Sequence, residues 1–164
     1  RMQRMAMMVE TAYQRYTDPS GGPLPGAISG GVHRFFLRVY YEDTDAGGIV
    51  YFANYLKFAE RARTEMMHLA GPEYGNLIHR DGYAFAIRRC EAEFLSPARL
   101  DDLLEVETCV VETGGASLVA RQIIRRGDTE LVQLKVKLAC IDRDGHPARM
   151  PEKIRKIIST LCQS

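Results

Sequence analysis

The chain has 164 residues, 46% of them hydrophobic and 26% charged, and a formal net charge of +1. That length supports one domain with its own core, and the composition is ordinary for a globular protein. Near-neutral charge without a long basic run gives no nucleic-acid signature, and four widely spaced cysteines (Cys90, Cys109, Cys140 and Cys162) without a C-x-x-C pair point to reduced thiols, neither a disulfide framework nor a zinc site.

Residues 1–32 read as a flexible N-terminal extension. The segment from Thr17 to Gly26 holds three prolines and three glycines, which favours turns and extended chain. The stretch before it suits a short helix at most. The run Ala6-Met7-Met8-Val9 ends at Glu10, short of the roughly 7–15 apolar residues of a signal-peptide core. No run approaches the roughly 18 residues of a membrane span, so the cytoplasm is the expected compartment. Arg1 in place of a methionine suggests a trimmed or added start.

From residue 33 to 164 the pattern is that of one folded domain. Phe35, Leu37, Val39 and Tyr41 alternate as in a half-buried strand. The segment YEDTDAGGIVY follows, from Tyr41 to Tyr51, and then a helix from about Asn54 to Ala70 with Asn54 as its N-cap. Tyr55, Phe58, Ala59, Ala62, Met66, Leu69 and Ala70 share one face, and Lys57, Arg61, Thr64 and His68 the other. Gly71-Pro72 ends it. A helical turn suits Glu73–His79. Strand patterns follow over Tyr83–Leu95, Leu103–Glu112, Ala116–Arg126 and Leu131–Asp142, broken by Ser96-Pro97, Gly114-Gly115, Gly127-Asp128 and Asp144-Gly145. Loops this short require antiparallel neighbours. A last amphipathic helix starts near Pro151 and presents Ile154, Ile157, Ile158 and Leu161. The order predicts an α+β fold, one long buried helix against an antiparallel sheet.

The acidic segment has three readings. As a loop, Glu42-Asp43-Thr44-Asp45 caps a helix. As a calcium loop it fails: with Asp43 as position 1, position 12 is Asn54, where a bidentate Glu is required. As a catalytic segment, it puts carboxylates beside a helix N-terminus, whose outward N–H groups can hold an oxyanion. That pairing is the minimum equipment for acyl transfer. The histidines (His33, His68, His79 and His146) have no ligand spacing; His33 and His146 read as loop residues. Glu60 and Glu65 read as ion-pair residues of the helix, with Arg61–Glu65 an i,i+4 pair.

The segment from Tyr40 to Glu65, with Phe85-Ala-Ile-Arg-Arg89, the stretch Phe94–Asp102 and the Pro151 region, resembles hotdog-fold acyl-CoA thioesterases. The nearest group is the Tol–Pal-associated family, a relative of the 4-hydroxybenzoyl-CoA thioesterases, and the similarity covers about residues 34–158. The resemblance implies a hotdog fold, an antiparallel sheet wrapped around a central helix. It makes Asp45 the catalytic carboxylate, as nucleophile or as general base, and returns Asp43 to a capping role. Backbone N–H groups around Phe52 would hold the thioester oxygen. Many Tol–Pal-associated members carry His at that position and the hydroxybenzoyl branch an aromatic; Phe52 is expected to act through its backbone and to shape the pocket. Gly47 and Gly48 provide a tight turn, and Ile49, Val50 and Tyr51 complete the substrate side of the segment. Arg88, Arg89, Arg125 and Arg126 are the candidates for CoA phosphates, since guanidinium pairs phosphate bidentately; a solvated strand face or a subunit contact is the other reading for each. The implied reaction converts acyl-CoA to free acid and CoA, with no metal or cofactor beyond the CoA of the substrate. A homodimer or homotetramer is implied. Hydrolysis of thioesters on acyl carrier protein, or a non-catalytic scaffold role in envelope or phospholipid machinery, are the alternatives.

Overall fold

The described residues form these helices and strands: β1 (Ala27–Ser29), β2 (Val32–Arg38), α1 (Phe52–His68), α2 (Pro72–His79), β3 (Ala84–Phe94), β4 (Leu103–Thr113), β5 (Ser117–Arg126), β6 (Thr129–Ile141) and α3 (Glu152–Leu161). The computed structural model describes residues 26–69 and 72–161. The expected N-terminal helical stretch, most of the expected extension and Cys162 lie outside the described residues.

All strands join one antiparallel sheet in the order β1-β2-β4-β5-β6-β3. Tight turns dictate its centre. The β5–β6 hairpin closes over Gly127-Asp128, with Arg126 paired to Thr129 and Gly127 at φ +58°, a conformation that favours glycine. β3 pairs with the far side of β6, so β1 and β3 form the two edges of the sheet among the described residues. β1 lies within the segment expected to be a flexible extension, and the sheet therefore starts earlier than the composition of residues 17–26 indicates. Gly30 and Gly31, at φ +58° and +73°, make the two-residue turn that returns the chain into β2. That pairing also carries His33 into a strand and buries it, in place of the expected loop position.

Helix α1 lies on one face of the sheet. Its buried side includes Tyr55, Phe58, Ala59, Ala62, Met66 and Met67, packed with Leu104, Val106, Ala120, Ile124, Leu134 and Val136. Burying a side chain such as Phe58 contributes about 1.5–3 kcal/mol. The periodicity indicates this face correctly, with two differences. Leu69 is exposed, and Arg63 is buried. Arg63 donates to Gln122 Oε1 at 2.8 Å, and Gln122 Nε2 donates to the Ala59 carbonyl and Thr108 Oγ1, each at 2.9 Å. A polar column thus ties helix to sheet through the core. α3 adds Ile154 and Ile158 to the same apolar layer.

The opposite face of the sheet is charged. Arg34 pairs with Glu105 and Glu107, and Arg125 with Glu107 and Glu130. Such solvent-facing pairs contribute little individually. Among the described residues, no helix is long and apolar enough to cross a membrane.

Candidate active site

The segment after β2 is bent by hydrogen bonds that its own acids supply. Tyr41–Asp43 forms one 3-10 turn. Asp43 folds inward and is buried. Its carboxylate accepts the Tyr40 N–H at 2.8 Å and the Asn54 Nδ2–H at 3.4 Å, and its carbonyl accepts the Tyr51 N–H at 2.9 Å. Asp43 therefore fastens both ends of the loop to the start of α1. Asn54 is engaged here and does not cap the helix, which begins two residues earlier, at Phe52, with extended Tyr51 at the N-cap.

Asp45 points the other way and is exposed. Its N–H donates to the Ile49 carbonyl at 2.9 Å and its carbonyl accepts the Gly48 N–H at 3.0 Å, closing a tight turn. Gly48 holds φ +77° in that turn, a region costly for any other residue. Oδ1 of Asp45 accepts the Gly47 N–H at 2.7 Å. The other carboxylate oxygen takes no hydrogen bond from the described residues. One oxygen is held and the second is without a hydrogen bond from the described residues, an arrangement compatible with a nucleophile or a general base. A Cβ on Gly47 would stand 3.0 Å from Oδ1 of Asp45. Gly47→Ala is accordingly expected to turn the carboxylate and lower kcat/KM by about 10- to 100-fold, with the circular dichroism spectrum unchanged; steady-state kinetics checks it.

The bridge between Thr44 and Val50 brings the chain back past Asp45 and into α1. The first N–H groups of a helix have no partner within it, and they carry the positive end of the helix dipole. Phe52 and Ala53 present these groups. The Phe52 side chain is 57% exposed and packs edge-on against Tyr51 and Phe94, with ring centroids 4.9 and 6.2 Å apart. Tyr55 and Phe94 lie 5.9 Å apart. An aromatic wall thus stands beside the helix start, with Tyr51, Phe52 and Phe94 open to solvent. Val50 is buried, so it supports the turn from below, and Ile49 is half-buried.

A second loop, residues 95–102, completes the surroundings. Ala98 is fully buried. Its N–H donates to the Tyr55 hydroxyl at 2.9 Å and its carbonyl accepts the Val50 N–H at 2.9 Å. Burial raises the pKa of Tyr55, which keeps the phenol neutral. Motif spacing gives no sign of this clasp, because Tyr55 and Ala98 are 43 residues apart.

The four arginines do not converge. Arg126 donates to Asp102 Oδ2 at 2.7 Å and to the Pro97 carbonyl at 3.3 Å, so it belongs to the loop around Ala98. Arg125 sits in the ion-pair network of the charged sheet face, and Arg89 pairs with Glu91 at 2.9 Å. Arg88 is exposed at the irregularity in β3 between Ile87 and Arg89. On α1, Glu60 accepts from Thr64 at 2.9 Å and Glu65 stands 3.8 Å from His68, in place of the expected Arg61–Glu65 pair. Asp142, Asp144 and His146 gather in an exposed turn, where Asp142 Oδ1 accepts the N–H groups of the other two. Cys90, Cys109 and Cys140 lie in strands as free thiols; burial is expected of such thiols, but Cys90 is exposed and Cys109 half-buried, and Cys140 alone of these three is buried.

Comparison with known proteins identifies the family. The family model described as the Thioesterase superfamily matches residues 47–133. The chain is 45% identical over 124 residues to the acyl-CoA thioester hydrolase YbgC of Escherichia coli O6:H1, covering 74% of this chain and 91% of that one. It is 41% identical over 122 residues to the acyl-CoA thioesterase YbgC of Haemophilus influenzae, covering 74% and 90%. The crystal structure of a probable thioesterase from Bartonella henselae matches with a TM-score of 0.69 and 36% identity, over 73% of this chain and 99% of that one. The chain therefore belongs to the thioesterase superfamily and is a thioester hydrolase of the hotdog fold.

Proposed function

We propose that this enzyme hydrolyses acyl-CoA to a free carboxylic acid and CoA, with Asp45 as the reacting carboxylate. The observation that carries the reading is the state of that group: Oδ1 is fixed by the Gly47 N–H at 2.7 Å, its partner oxygen takes no hydrogen bond from the described residues, and the turn that holds it is bridged at Thr44–Val50 just before α1. The CoA thioester comes from the names of the two YbgC relatives. As nucleophile, Asp45 adds to the thioester carbon, the CoA thiolate leaves, and water cleaves the resulting anhydride. As general base, it takes a proton from the water that attacks directly. Either route puts negative charge on the thioester oxygen, and the N–H groups at Phe52 and Ala53 are the donors suited to hold it. The Phe52 side chain, with Tyr51 and Phe94, offers an apolar surface to the acyl group. Gly47 and Gly48 leave room for the thioester; Ile49 and Val50 shape the turn. Neither a metal nor a redox cofactor enters this scheme. Of the arginines, Arg88 suits the CoA phosphates better than Arg89, Arg125 and Arg126, which already face carboxylates. The cytoplasm is the proposed compartment.

The free edge of β3 supports a homodimer. Cys90, Ala92, Phe94 and Leu95 are all exposed there, and a bare edge of this length invites pairing across a two-fold axis; a tetramer would add a second contact. Ala92→Arg is expected to yield monomers by light scattering coupled to size-exclusion chromatography, with thiol release reduced at least tenfold. The substrate reading is tested by thiol release from short, long and aromatic acyl-CoAs, beside the same acyl groups on acyl carrier protein. Turnover of at least one CoA thioester is expected. Activity confined to the carrier-linked substrates would replace the CoA reading, and no turnover of either would favour a scaffold role.

A further inference from the structure

We propose that Tyr55 is a positioning residue for the reaction: through the buried segment at Ala98 it fixes the turn that holds Asp45. The inference rests on the reading of Asp45 as the reacting carboxylate and adds a residue to it. The turn leans on that segment directly. Ile49 and Arg99 form an antiparallel bridge, and the Val50 N–H donates to the Ala98 carbonyl at 2.9 Å. The helix holds the other side of the same residue, because the Ala98 N–H donates to the Tyr55 hydroxyl at 2.9 Å. Tyr55 stands on α1 just after Phe52 and Ala53, whose N–H groups are the donors suited to an oxyanion. One side chain thus couples the helix start to the returning limb of the turn that carries the carboxylate.

Solvent offers no substitute for that bond. Ala98 is fully buried and Tyr55 is 3% exposed. A buried N–H that loses its acceptor must find another, and the backbone around it shifts to do so. A displacement of about 1 Å at a reacting group costs about 100-fold in rate. The far end of the segment is fixed as firmly. Asp102 Oδ2 accepts the Arg99 N–H at 2.8 Å and Arg126 Nη1 at 2.7 Å. Asp101 holds φ +68°, a positive value that only glycines share among the described residues. Its N–H donates to the Val39 carbonyl at 3.1 Å, and its own carbonyl accepts Arg38 Nη1 at 2.9 Å. Such a conformation persists only where the surroundings over-determine it. Residues 97–102 are therefore a stiff brace between the end of β2 and the start of α1. Tyr55 is the side chain that fastens this brace on the side of the Asp45 turn.

Steady-state thiol release from the acyl-CoA that wild type turns over fastest tests the proposal. Tyr55→Phe keeps the ring that packs against Phe58 and Phe94 and removes only the acceptor. It is expected to lower kcat about tenfold, with KM within about twofold of wild type and an unchanged circular dichroism spectrum. Asp102→Ala frees the opposite end of the brace and is expected to lower kcat by a similar factor; it serves if Tyr55→Phe does not fold. In the Asp45→Asn background, Tyr55→Phe is expected to leave the calorimetric Kd for the same acyl-CoA within about twofold, since only the placing of the carboxylate is at stake. A kcat within about twofold of wild type in folded Tyr55→Phe, or in Asp102→Ala where that variant serves, would overturn the proposal. So would a loss carried by KM, or by Kd in the Asp45→Asn background, which would put Tyr55 against the substrate itself. Asp45→Asn keeps the two readings separable. If it abolishes turnover while Tyr55→Phe stays fully active, the positioning role alone falls. If it retains the turnover of wild type, the hydrolytic reading falls and this role falls with it.

Discussion

Asp45→Asn is expected to lower thiol release from acyl-CoA by about 10³-fold or more, in line with the loss of a nucleophile or general base. The substitution is nearly isosteric. The amide oxygen still accepts the Gly47 N–H that fixes Oδ1, and the turn closed by Asp45 and Ile49 uses only backbone groups. The fold and the donors at the helix start should therefore survive, as circular dichroism and an unchanged unfolding midpoint would show. Only the free oxygen changes, to an NH₂ that can neither attack a thioester nor accept a proton from water. Equal turnover by wild type and variant would sink the mechanism. Label that enters the Asp45 side chain during a single turnover in oxygen-18 water would then mark a nucleophile, because a general base never bonds to the acyl carbon.

The largest effect on stability is expected far from that turn. Gln122 is fully buried in β5 and makes hydrogen bonds to Arg63, the Ala59 carbonyl and Thr108. Gln122→Ala removes all three at once. Each polar group left buried without a partner costs about 1–3 kcal/mol, and stranding a buried charge costs about 3–5 kcal/mol. These terms overlap because water and neighbours relax into the space. The net expectation is a loss of about 3–5 kcal/mol, a large part of the roughly 5–15 kcal/mol that holds a domain folded. Urea titration should show a lower midpoint with an unchanged slope. A loss below about 1 kcal/mol, within the range of one ordinary hydrogen bond, would mean that Arg63 finds another partner.

The sheet and its central helix were legible because their signals are local. Phe35, Leu37 and Val39 alternate, Gly127-Asp128 closes a hairpin, and the apolar face of α1 repeats at helical spacing. The helix start was misplaced because Asn54 looks like a cap, whereas its amide is spent on Asp43. β1 was hidden by its neighbours: the prolines and glycines just before it mask three residues that need β2 to become a strand. Arg63 and Gln122 could not be foreseen as buried, since they lie 59 residues apart and charged residues are almost never buried unless paired. The arginines failed to converge for a related reason. Cross-strand register decides which carboxylates they meet, and composition does not encode register. Asp45 was singled out by the resemblance of its whole segment, since two acids before two glycines would equally suit a capping loop.

The pairing of the sheet also sets an order in time. β4, β5 and β6 are joined by short turns and can zip as consecutive hairpins, whereas β2 must find β4 and β3 must find β6 across much longer stretches of chain. Closing long loops is slow relative to local pairing. The segment that carries Asp45 and the start of α1 lies within the long connection between β2 and β3. During synthesis it emerges before the strands that will hold it. The turn that carries Asp45 is thus expected to be among the last parts of the molecule to gain fixed geometry, after the scaffold on which it depends.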